Sequence, residues 1–161
     1  MIWPILALIL SSVWLAWTVL VDFFVVPAVF QNVAQFFEAG KLGVVLFNRL
    51  NMLEFPLASA LLVFIILSFK RFSSLKWLIP VSVVLVGIAG IYLFSLTPKL
   101  TALTTAWEYA DKMGTLGTGG EDVQQLHQTY HNAYIALDTA KLVLLTAQTI
   151  VLGVFSSRAN R

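Results

Sequence analysis

The chain has 161 residues, of which 59% are hydrophobic and only 11% charged, with a mean hydropathy of +0.87. That balance excludes an ordinary soluble domain and implies an integral membrane protein. A formal net charge of +2 is too small to point to nucleic acid, and the absence of cysteine removes disulfides, thiolate metal sites and cysteine nucleophiles.

The opening "MIWPILALILSSVWLAW" has no basic n-region and stays apolar beyond signal-peptide length, so it is expected to persist as a helix. Spans of the roughly 20 residues needed to cross a bilayer are expected at about 3–30, 42–69, 77–97 and 126–155. Backbone groups in lipid must be bonded within their own segment, so the expected fold is all-α, a single-domain integral membrane four-helix bundle. Pro4 suits a first helical turn, whereas Pro27 and Pro56 lie inside spans and predict kinks near Phe23 and Met52. Trp14 and Trp17 lie deep in the first span and read as packing residues, while Trp3, Trp77 and Trp107 read as interfacial anchors. Gly87 and Gly90 suit close helix approach. Pro98 with Lys99 is expected to end the third helix. After it, "LTALTTAWEYADKM" predicts a short interfacial helix, followed by the turn-rich "GTLGTGGED".

Both termini and the second connection share one side in a four-span chain. That side holds Lys70, Arg71, Lys76, Arg158 and Arg161, whereas the other side mixes Lys41, Lys99 and Lys112 with five acids. The positive-inside rule therefore places both termini in the cytoplasm.

The fourth span carries the main anomaly. His127, His131, Tyr134, Asp138, Lys141 and Leu145 fall within a sector of about 80° on one helix face, extended by Gln124 and Gln148. Lipid would not tolerate that face, so it must look into the bundle. Asp22 with Thr18 and Ser11 on the first helix, and Asn48, Asn51 and Glu54 on the second, are its expected company. Asp22, Asn51, Glu54, His127, His131, Tyr134, Asp138 and Lys141 thus form a predicted ligand or proton-exchange pocket opening outward. Asp138 and Lys141, at i and i+3, are expected to neutralise one another. Arg49 either pairs with Glu54 or Asp22 or snorkels to the interface. His127 and His131, at i and i+4, are spaced to chelate a transition metal, with Glu54 or Asp22 as an oxygen ligand, although H-x-x-x-H lacks the zinc-protease glutamate.

Two stretches, "TVLVDFFVVPAVFQ" and "LTPKL" coupled to "LHQTYHNAY", resemble the domain-of-unknown-function 4149 group of four-helix membrane proteins, related to transmembrane-protein-205-like proteins. More distantly the chain is similar to the copper resistance protein D membrane domain. Pro27, Phe30, Pro98 and His127 carry the likeness, while Thr18 and Asp22 stand where the pattern has a glycine and an aromatic residue. The resemblance implies a link to metal or drug tolerance in the inner membrane of a bacterium, without an assigned activity.

The expected function is a non-enzymatic membrane protein that binds a small ligand or cation in its polar pocket. The alternatives are a haem-pathway membrane oxidoreductase, and a subunit whose polar fourth helix meets another membrane protein or a second copy of the chain. The bilayer is the expected partner, and a transition metal or haem the candidate cofactor.

Overall fold

A computed structural model describes the backbone of residues 2–33, 36–114 and 120–159. Among them are four long helices and no strand: α1 (Ile2–Asn32), α2 (Phe36–Phe69), α3 (Ser73–Lys112) and α4 (Gly120–Ala159). All four are long and apolar enough to cross a membrane. Val13, Val63, Val84, Val143 and Ile150 lie bare on the outside. An apolar coat of this extent belongs in lipid, where the helices satisfy their own backbone groups.

The helices form a ring in which α1 and α3 each pack between α2 and α4. The termini and the α2–α3 connection share one end. The Asn32, Phe36, Lys112 and Gly120 ends of the helices lie towards the other, and the candidate site is in that half.

Two prolines act differently from a simple helix stop. Pro27 cannot donate a backbone hydrogen bond, and α1 absorbs this one turn earlier by widening into a π turn at Val21–Val25, where the Val26 N–H reaches the Val21 carbonyl. In α3 the pattern repeats: Tyr92–Leu96 is a π turn, the Thr97 N–H bonds the Tyr92 carbonyl, and Pro98 follows. The expectation that Pro98 ends the third helix is therefore corrected. Thr97–Lys112 is helical, as the sequence predicts, but continues α3 instead of starting a separate interfacial helix. Around Pro56, α2 runs on as an α-helix without a π turn.

Gly114 closes α3 in the left-handed region at φ 67°, with its N–H on the Asp111 carbonyl, as a helix-ending glycine does. The rest of the predicted turn-rich segment, 115–119, lies outside the described residues, as does Arg161. Gly90 lies against Phe55, whose ring would stand 3.6 Å from an added Cβ, whereas Gly87 faces open space and allows no special approach.

Near the termini the core is dry. Leu61 and Ile65 of α2, Leu75 and Leu85 of α3, and Leu145 and Leu152 of α4 are fully buried there. Small polar groups stitch this half: Ser11 and Thr149 hydroxyls meet at 2.6 Å, and the Gln148 amide donates to Ser82 Oγ at 3.2 Å.

Candidate functional site

Above the dry core, a polar seam crosses the centre of the ring. Lys141, only 2% exposed, donates to Glu54 Oε1 at 2.8 Å and to Asp138 Oδ1 at 2.6 Å. The indole N–H of Trp14 donates to the same Glu54 oxygen at 3.1 Å. The Tyr92 hydroxyl reaches Asp138 Oδ1 at 3.4 Å and the Tyr134 carbonyl at 3.3 Å. Its ring stacks on Tyr134 with centroids 4.4 Å apart. The Tyr134 hydroxyl in turn donates to Asn51 Oδ1 at 3.3 Å, and Asn51 Nδ2 donates to Thr97 Oγ1 at 2.7 Å. All four helices join this chain of contacts. Glu54 on α2 and Lys141 on α4 are held together across the ring, so each ion is desolvated and depends on the other.

The seam remains incomplete. Asp22, carried on the π turn of α1, lines the same two cavities as Asp138. Thr18 Oγ1, Asp22 Oδ2 and Glu54 Oε2 are buried and meet no donor among the described residues. Thr18, Asp22 and Glu54 surround a narrow cavity of about 10 Å³, close to the minimum for one water. Buried polar atoms are normally satisfied, so three orphans around one small space mark a place for a water or a ligand atom.

Next to it is a much larger cavity of about 520 Å³, within the range of small-molecule pockets. Its walls are mostly apolar: Phe23, Val26 and Phe30 from α1, Val44 and Phe47 from α2, and Leu100 from α3 are among them. Asp22 and Asp138 lie at its boundary with the narrow cavity and belong to both. Gly43 forms part of the wall, and a Cβ there would meet nothing within 4 Å. Past the π turn, Val26–Asn32 packs on α2 and not on α4. Phe23 on α1 and Ile135 on α4 both line the pocket and are 63% and 50% exposed, so it opens sideways between these two helices.

His127 and His131 line the far part of the pocket, with rings stacked at 6.1 Å. Trp107 lies 5.3 Å from the His127 ring. The Thr104 hydroxyl donates to the Leu100 carbonyl, so its contact with His127 Nε2 at 3.2 Å is one in which the imidazole N–H donates. The expected metal site of His127, His131 and Glu54 is corrected here. Among the described residues no three His, Cys, Asp or Glu side chains are placed to hold a metal ion, and Glu54 is turned to Lys141 and Trp14 and away from the histidines. Arg49 and Asn48 are exposed, and Arg49 forms no ion pair among the described residues, in line with snorkelling and not with pairing.

Of the eight predicted pocket residues, the structure gathers Asp22, Asn51, Glu54, Tyr134, Asp138 and Lys141 at the seam and places both histidines on the wall of the larger cavity. Sequence reasoning missed Tyr92, Gly43 and the donor role of Trp14. A lone tyrosine in "GIAGIYLFSLTP" is a usable signal, since a buried phenol seeks a partner. Compared with known proteins, the chain matches no family model, no curated protein and no solved structure.

Proposed function

We propose that this is a non-enzymatic inner-membrane protein that binds a small, mostly apolar ligand with a positively charged group in the cavity between α1 and α4. The observation that carries this reading is the placement of Asp22 and Asp138 at the inner end of an apolar pocket whose described lining includes no lysine or arginine. A cation would find charge there, and an apolar body would find the aromatic and aliphatic walls. The sideways mouth favours entry from the bilayer. With Lys70, Arg71, Lys76 and Arg158 at the termini end, the positive-inside rule makes that end cytoplasmic and the pocket outward-facing. A link to metal or drug tolerance, suggested by the family resemblance, fits a site for lipophilic cations better than one for a chelated metal.

The test is equilibrium dialysis of tetraphenylphosphonium against the purified protein in an uncharged detergent. Saturable binding is expected, weakened about tenfold or more by Gly43→Leu, which fills the pocket, and by Asp138→Asn, which removes its charge. Binding that is absent, or unchanged in both variants, would sink the reading.

A further inference from the structure

We infer that the Asp22–Asp138 pair holds one proton in the ligand-free protein, and that a cation entering the pocket takes that proton's place. The inference rests on the pocket reading and specifies how the site keeps its charge in balance.

The groups facing the pair are Glu54 from α2, Tyr92 from α3, and Tyr134 and Lys141 from α4. His131 lies along the pocket wall. Three carboxyls therefore surround one ammonium. Lys141 is already shared between Glu54 and Asp138, and it makes no hydrogen bond to Asp22. Full ionisation would leave two uncompensated negative charges inside a membrane protein, an arrangement that desolvation makes costly. A proton held between Asp22 and Asp138, which line the same two cavities, removes one of them. The buried and unpartnered Glu54 Oε2 and Thr18 Oγ1 border the narrow cavity beside the pair, with room for a single water. That water would satisfy these orphans and give the departing proton its first acceptor.

The exchange balances simply. The carboxylic O–H bond breaks, its proton passes to water, and the carboxylate left behind faces the incoming cation. One positive charge replaces another, so the net charge of the seam does not change. The π turn that carries Asp22 lies where α1 parts from α4, and the pair is thus open to the pocket on one side and to the seam on the other.

Two measurements on the unmodified protein test this together. Infrared spectroscopy of the ligand-free protein at neutral pH is expected to show the carbonyl stretch of a protonated carboxyl. The band should vanish in Asp22→Asn and in Asp138→Asn and persist in Glu54→Gln. Tetraphenylphosphonium added to the protein in weakly buffered solution should bleach the band and release one proton for each cation bound. Absence of the band from the ligand-free protein would overturn the inference. So would a band that survives saturation with the cation and a solution that stays at constant pH, and in that case the pocket reading would stand. A band assigned to Asp22 in a protein that binds no cation would leave the acid pair real but refute both the exchange and the pocket reading.

Discussion

The two halves of the bundle are built on opposite principles. Towards the termini, leucines and isoleucines from three helices interlock, and most of the buried polar groups there are bonded to one another or to backbone, Ser156 Oγ being an exception among the described residues. Towards the other end the same four helices enclose a cavity, leave three polar atoms without donors among the described residues and set two carboxyls on its wall. Close packing is the normal state of a protein interior, and a dry half shows that this chain can achieve it. The loose half therefore reflects what the sequence puts there: a π turn with Asp22, glycines at 40 and 43, and a final stretch of α1 that packs on α2. Close packing marks one half and open space the other, with the Glu54–Lys141 pair at their border.

The sharpest way to break this division is at the border. Lys141→Met leaves Glu54 and Asp138 buried without their cation, and a loss of about 3–5 kcal/mol is expected in reversible unfolding from mixed micelles. Adding Glu54→Gln to it should recover part of the loss, since an unpaired charge is then removed. Next in size is a contrast between the halves. Leu145→Ala opens a void in the dry core and should cost about 2–4 kcal/mol, whereas Gly43→Leu adds atoms to open space and should change stability by less than about 1 kcal/mol. Equal losses at both positions would mean that the cavity collapses in solution.

The smallest effect belongs to the surface. α3 is about 60 Å long, twice the hydrocarbon thickness, so its charged end projects beyond the lipid. There Glu108 accepts hydrogen bonds from Lys112 and Lys41, both at 2.7 Å, which hold its carboxyl below the ordinary value near 4.5. A carboxyl whose value is depressed by folding stabilises the protein above its unfolded value, and that contribution is lost as pH falls through the folded one. Melting curves of the parent protein should therefore show a slight acid-side loss that is missing from Glu108→Gln and is reduced by salt.

The sequence made some of this legible and not the rest, for physical reasons. Hydropathy located four spans because a bilayer demands continuous apolar runs. The stripe on the last helix pointed inward because lipid excludes charge, and the Asp138–Lys141 pair followed from its spacing. Pro98 was misleading, since a π turn one turn earlier lets the helix continue, and nothing in a local pattern reveals that turn. The two histidines suggested a metal because their spacing is local. The position of Glu54 is not local: it is set by Trp14 and Lys141, 40 and 87 residues away in the chain. The cavity itself depends on where α1 stops packing against α4, which no motif encodes.

Asp22 provides the most direct test of the account. A carboxyl retained for the fold should destabilise the protein when neutralised, whereas one retained for a ligand should not. Thermal melting and tetraphenylphosphonium binding of Asp22→Asn, measured side by side with the parent, separate these cases. The account predicts a melting temperature equal to or above the parent's, together with binding weakened about tenfold or more. A lower melting temperature with unchanged binding would contradict it and make Asp22 one more strut of the bundle.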